Sequence, residues 1–234
     1  MGFFDFLAQN RHYAAEPYSV ARLNLRHRMI VEPLLPLFKG RSVLDIGARD
    51  GRWAYAFATA GAAVVTALEE HSDLVRRFES LPDDEAKSRI TMKCANIFEG
   101  LEQEIALGNQ YEIITIMGYF HYISDQFRLL SLLGQLRPKV IIVDSEFALT
   151  KDPVIALFDG DEVEDMDAVS NLWHDRPPLV GLLSQEALKA MGQSVGYQCD
   201  WINWDRLGPD DRPPVREYFT SDRSRRFTCL MHAI

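Results

Sequence analysis

The stretch Ser42-Val-Leu-Asp-Ile-Gly-Ala-Arg-Asp-Gly-Arg-Trp53 decides the fold. It opens with a short apolar run of strand type, interrupted by one acid, Asp45. Gly47 and Gly51 then supply a turn, and residues 52–60 read as a helix that closes at Gly61, where glycine suits a C-terminal cap. Strand, glycine turn and helix in that order are the opening unit of a parallel α/β sheet. The alternation continues outward through the runs Ala63-Val-Val-Thr-Ala-Leu-Glu69, Ile90-Thr-Met-Lys-Cys94, Tyr111-Glu-Ile-Ile-Thr-Ile-Met117 and Lys139-Val-Ile-Ile-Val-Asp144. Between the last two, Ser124 and Asp125 open a helix whose Phe127, Leu130, Leu133 and Leu136 share one face. The expected architecture is α/β: a doubly wound, mostly parallel sheet with helices on both faces.

Residues 1–39 form a separate N-terminal helical segment, in which residues 18–38 read as one or two helices bent at Pro33 and Pro36. This segment is expected to act as a lid over the main domain, residues 40–234. Residues 148–180 carry acids, Pro153 and the pair Pro177-Pro178 with weak periodicity, and are expected to be an insertion or cap after the fifth strand. Ser184 then caps a helix through Met191, and strands follow at residues 197–204 and 226–234. Apolar residues make up 47% of the 234 and charged ones 25%, a balance that folds without help. The net charge of -9 disfavours a nucleic-acid partner, because a phosphate backbone is bound by clustered Lys and Arg. Two short basic stretches, residues 22–28 and 223–226, weaken that argument without reversing it, and Arg22, Arg26 and Arg28 are read as a solvated helix face. Cys94, Cys199 and Cys229 are odd in number and far apart, so buried thiols are expected rather than a disulfide framework. The first seven residues lack a secretion signal and no run reaches membrane-spanning length, which implies a cytoplasmic protein with no membrane partner. A homodimer is left open.

The turn carries the chemistry. A dinucleotide fingerprint needs Gly-x-Gly-x-x-Gly, but Arg49 stands at the middle glycine and no third glycine follows, which argues against a nicotinamide oxidoreductase. Two acids suit a different ligand: Asp45 for an ammonium, and Glu69, at the end of the second strand, for both hydroxyls of a ribose. Glu70 competes with Glu69 for that role. On Leu44-Asp-Ile-Gly-Ala-Arg-Asp-Gly51 and Ala67-Leu-Glu69 the chain resembles the class I, Rossmann-like methyltransferase family, from about residue 42 onward. The resemblance implies S-adenosylmethionine as cofactor and S-adenosylhomocysteine as product. It places Asp45, Gly47, Arg49, Gly51 and Glu69 around the cofactor, Asn96 at the adenine amino group, Ile97 against the ring, and Met117 beside the transferred methyl. Asn96 replaces the family's usual acid. Met117-Gly-Tyr-Phe-His-Tyr122 is also loosely similar to the tRNA wobble-uridine modifying branch, although Gly118 and His121 stand three apart rather than four.

His121, near the expected methyl position, is the candidate base, and a structural hydrogen bond is its equal alternative. His174, beside Trp173 in the insertion, is the second catalytic candidate, with a surface position as its alternative. His71 reads as a helix cap. Trp53 and Tyr55 read as packing residues, and the aromatic group Trp201, Trp204, Tyr218 and Phe219 reads as core or edge packing. Asp144 and Glu146 could serve an acceptor or a metal; two carboxylates without further ligands leave no metal expected. The resulting expectation is methyl transfer to a small-molecule acceptor, most often oxygen in such families. RNA or protein methylation is the enzymatic alternative, and a non-catalytic S-adenosylmethionine-binding subunit is the alternative of another class.

Overall fold

The computed structural model describes every residue except 15–17, 160–178 and 221–222. Nine strands are described: β1 Ser42–Ile46, β2 Val64–Glu69, β3 Ile90–Cys94, β4 Ile113–Met117, β5 Val140–Ala148, β6 Ile155–Asp159, β7 Leu179–Leu183, β8 Tyr197–Trp201 and β9 Ser224–Ala233. Seven of them pair in the order β3-β2-β1-β4-β5-β9-β8. The first five are parallel, and only β9, inserted between β5 and β8, runs antiparallel to its neighbours. The order reverses at β1, so the carboxyl ends of β1 and β4 border the crevice where doubly wound sheets bind ligands.

Side chains on the central strands alternate between the two faces, as strand geometry requires. Leu44, Ile46, Ile114, Ile116, Ile141 and Val143 face one core, covered by the helices Ile97–Ala106, Gln126–Gln135 and Gln185–Ser194. Val43, Ile113, Met117, Val140 and Ile142 face the other, with the helix Arg52–Thr59, the N-terminal segment and residues Trp204 to Tyr218. Asp45, Thr115 and Asp144 have the parity of this second face. Each carries a polar group into an apolar core, and each therefore needs a partner.

Asp144 is fully buried and has four donors. Its Oδ1 accepts from Arg26 Nη2 and Arg226 Nη1, both at 2.8 Å, and its Oδ2 accepts from Tyr218 at 2.6 Å and Thr228 at 2.7 Å. Burial alone would raise its pKa, but the two guanidiniums outweigh burial and hold the carboxyl down to about 2. This cluster ties the helix Ser19–Arg26 to β5, β9 and the segment that stacks Trp204 on Tyr218 with centroids 3.5 Å apart. Arg22 bonds Glu217 and Arg28, in the turn that follows, bonds Asp211, so the helix and its C-terminal extension are both clamped to the chain's later half.

Several sequence expectations need correction. Arg26 does not lie on a solvated face: it is 3% exposed, stacked 4.9 Å over Trp53 and paired to Asp144. Phe127 leaves its expected face and is 48% exposed, while Leu129 fills the core, because a series spaced by three drifts about 60° per step around a helix of about 3.6 residues per turn and leaves its first member off the face that Leu130, Leu133 and Leu136 share. Cys94 is exposed and Cys199 partly so; only Cys229 is buried. The expected insertion after β5 is present, and its described part contains an antiparallel pair, β6 with β7. Residues 18–38 form the helix Ser19–Arg26, a wider turn at His27–Val31, and two short turns bearing Pro33 and Pro36.

Asp144→Ala would leave two buried guanidiniums without their counterion, a loss of about 3–5 kcal/mol for a broken buried pair. Urea unfolding is expected to show that loss with the slope unchanged, and a loss below about 1 kcal/mol would contradict the account.

Candidate active site

The site is assembled at the carboxyl ends of β1, β2 and β4. Asp45, 1% exposed, accepts a 2.7 Å bond from Thr115 Oγ1 on its Oδ1, and its register neighbour on β4 is that same threonine. Its Oδ2 is buried with no hydrogen-bond partner among the described residues. Burial, only partly offset by Thr115 and Arg52, pushes its pKa up to about 7. A carboxylate with one unfilled buried oxygen at the mouth of a crevice is a receptor for a cation or a donor.

The turn after β1 takes left-handed backbone at Gly47 (φ 65°), Arg49 (φ 56°) and Gly51 (φ 78°). Arg49 departs from the glycine preference at such angles, and its backbone N–H is fixed by a 2.8 Å bond to Glu69 Oε2. Glu69, 2% exposed, also accepts from the His71 N–H at 2.9 Å on Oε1. Each of its oxygens thus retains one lone pair. Asp50, on the same turn, accepts from Tyr13 Oη, to which Arg52 donates in turn, so the N-terminal segment covers the turn from outside. Expected packing residues Trp53 and Tyr55 do lie in the core beside it.

Asn96 caps the helix Ile97–Ala106: its Oδ1 accepts from Phe98 at 3.1 Å and Glu99 at 3.4 Å, and its Nδ2 donates to Glu70 Oε2 at 3.1 Å. Ile97, 2% exposed, packs in the core below the cap. Met117 ends β4, 6% exposed, opposite Asp144 in register. The structure therefore gathers Asp45, Gly47, Arg49, Gly51, Glu69 and Met117 along one edge of the sheet, with Asn96 at its β3 end.

His121 is buried beyond β4, with Nδ1 2.9 Å from Ser145 Oγ and its ring 4.0 Å from that of Tyr122. Burial, reinforced by the cations Arg226 and Arg22 against the opposing Asp144, holds its pKa well below the ordinary value. It is neutral at physiological pH. His174 lies outside the described residues. His71 occupies a helix cap position, but its side chain makes no capping bond. Asp144, offered above as an acceptor or metal ligand, is committed to four protein donors instead. Reading the sequence also missed Tyr119, whose ring lies on Gly47; the aromatic at the β4 exit was the available signal.

This strand order, with a lone antiparallel strand beside β5 and two acids at the ends of β1 and β2, defines the class: the fold is that of S-adenosylmethionine-dependent methyltransferases. A family model described as a methyltransferase domain matches residues 13–200, and the chain belongs to that methyltransferase family. No curated protein sequence matches it. Among solved structures, the N-terminal domain of EvdMO1 with S-adenosylhomocysteine bound is similar over 94% of this chain and 82% of that one, at 14% identity and TM-score 0.65. A methyltransferase from Mesorhizobium loti is similar over 85% and 96%, at 15% identity and TM-score 0.55. Magnesium protoporphyrin IX methyltransferase from Synechocystis is similar over 97% and 94%, at 11% identity and TM-score 0.54. At these identities the likeness is one of fold.

The raised pKa of Asp45 fixes the sign of a pH effect. The folded chain holds a proton there that the unfolded chain releases, so this group's contribution to stability is complete below about pH 4 and is lost as pH rises through about 7. Thermal melts at pH 5 and pH 8 are expected to show wild type losing stability relative to Asp45→Asn; a constant gap between the two would refute the shift.

Proposed function

We propose that this methyltransferase moves a methyl group from S-adenosylmethionine to an oxygen of a small-molecule acceptor. The observation that carries the cofactor reading is the orphaned Oδ2 of buried Asp45 beside the Gly47 turn, with Glu69 at the neighbouring strand end. Asp45 would receive the ammonium of the methionyl part and the spare lone pairs of Glu69 the ribose hydroxyls. Asn96 Oδ1 is taken up by the helix cap, so Asn96 would meet the adenine end through the second N–H of Nδ2, donated to a ring nitrogen rather than accepting from the amino group, while Ile97 packs beneath the cap and Met117 borders the methyl. When bound, the cofactor supplies an electrophilic methyl on a sulfonium. The chain's own share is to orient the acceptor in line and to exclude water.

His121 is neutral and held to Ser145, so its share is to fix the β4 exit and offer a hydrogen bond, with weak power as a base. His174 remains an acceptor-side candidate. The small acceptor is favoured by the arginines. Arg22, Arg26 and Arg28 are each bound to a carboxylate, which leaves that basic stretch little to give a phosphate backbone. The likeness around Gly118 and His121 to tRNA-modifying transferases rests on two residues, one of them buried. Among the described residues no helix is long and apolar enough to cross a membrane, and the three free cysteines suit a reducing cytoplasm.

Calorimetry with S-adenosylhomocysteine tests the cofactor site. Asp45→Asn and Glu69→Ala are each expected to weaken binding about tenfold or more, in line with about 1.5–3 kcal/mol for a hydrogen bond to a charged group. Wild-type affinity is expected to rise from pH 6 to pH 8 as Asp45 ionises, and unchanged affinity in both variants would remove the assignment. Incubation with methyl-labelled S-adenosylmethionine and either a low-mass metabolite extract or total tRNA tests the acceptor. Label in the tRNA alone would overturn the small-molecule reading.

A further inference from the structure

The strip that the cofactor reading requires already has an occupant. Tyr119 leaves the exit of β4 just past Gly118, and its ring lies directly on Gly47 at the exit of β1. A Cβ placed on Gly47 would stand 2.3 Å from Tyr119 Cγ and 2.6 Å from its Cβ and Cδ2, so only glycine tolerates the contact. After burial itself, the charges of Glu70 and Glu69 are what push the pKa of Tyr119 well above the ordinary value. Tyr119 is 9% exposed, and its hydroxyl is buried without a hydrogen-bond partner among the described residues. The ring thus reaches from the β4 exit onto the turn after β1 and fills the space over Gly47.

A methionyl group reaching Asp45 past Gly47 needs the same space over the turn. Both cannot lie there. Resting on the cofactor reading above, we propose that Tyr119 is a further residue of the cofactor site, an internal competitor whose ring must turn off Gly47 before S-adenosylmethionine can bind.

Two features suit it to that work. An unpartnered buried hydroxyl is costly, so the seated ring is held weakly enough to be displaced by a ligand that satisfies the same acids. The residue before it, Gly118, has a left-handed φ of 96° and no side chain, so the backbone that carries the ring is unburdened at the point where it would have to move. A site open for only a fraction of the time has its apparent affinity lowered by that fraction. A ring seated about nine-tenths of the time would lower the affinity about tenfold.

Calorimetry of S-adenosylhomocysteine with wild type, Tyr119→Ala and Tyr119→Phe decides the matter, each variant first shown to melt cooperatively. Tyr119→Ala is expected to bind about tenfold more tightly than wild type. Tyr119→Phe, which seats the ring without an orphaned hydroxyl, is expected to bind more weakly. Tyr119→Leu replaces the alanine variant if that one does not fold. Binding by the small variant that is equal to or weaker than wild type would overturn the competitor role while leaving the cofactor reading intact. No binding by wild type or any variant would instead remove the cofactor reading, and this proposal with it.

Discussion

Asp144 buried between Arg26 and Arg226 is the constraint on which the rest depends. A carboxylate at the end of a central strand, on a face otherwise filled with Val, Ile and Met, is tolerable only when its full hydrogen-bonding capacity is met. Four donors from three separate parts of the chain meet it. The N-terminal helix is therefore fixed to the sheet by charge at one point, by Arg22 and Arg28 at its flanks, and by aromatic packing around Trp53. With that helix in place, Tyr13 reaches Asp50 and the turn after β1 is covered.

The same cluster sets the electrostatics of the crevice. Burial, reinforced by Arg226 and Arg22, keeps His121 neutral, whereas the burial of Asp45 outweighs the help of Thr115 and Arg52 and raises it toward neutrality. One edge of the sheet thus holds two carboxyls of opposite character. The ionised one builds the scaffold, and the one titrating near pH 7 is available to a ligand.

The fold was legible because its signals are local. Five apolar runs, a glycine turn and capped helices each announce themselves within a few residues, and all five runs became parallel strands. The cofactor edge was legible for a related reason: Asp45, Gly47, Gly51 and Glu69 sit at strand ends, and strand ends in a parallel sheet converge. What stayed hidden was whatever required partners far apart in sequence. Arg26 looked like a surface residue because its counterion stands 118 positions away. Asp144 looked like a ligand because Tyr218, Thr228 and Arg226 had no visible connection to it. Phe127 was misplaced because a series spaced by three drifts around a helix, and its first member falls off the face the later ones share. Tyr119 was overlooked because its neighbour, Gly47, had been assigned to a ligand.

The position of β9 has a consequence for how the molecule is made. This strand lies between β5 and β8, yet it is translated about eighty residues after β5, with Arg226 and Thr228 on it. Until it emerges from the ribosome, Asp144 lacks half its donors and β5 has an open edge toward the place β9 will fill. Long-range pairings of this kind form late and expose the nascent sheet to wrong partners. The helix carrying Arg26 must therefore wait for a strand about 200 positions later before its shared counterion is fully bonded. Closure of the methyl-transfer crevice thus depends on a strand made well after the residues it anchors.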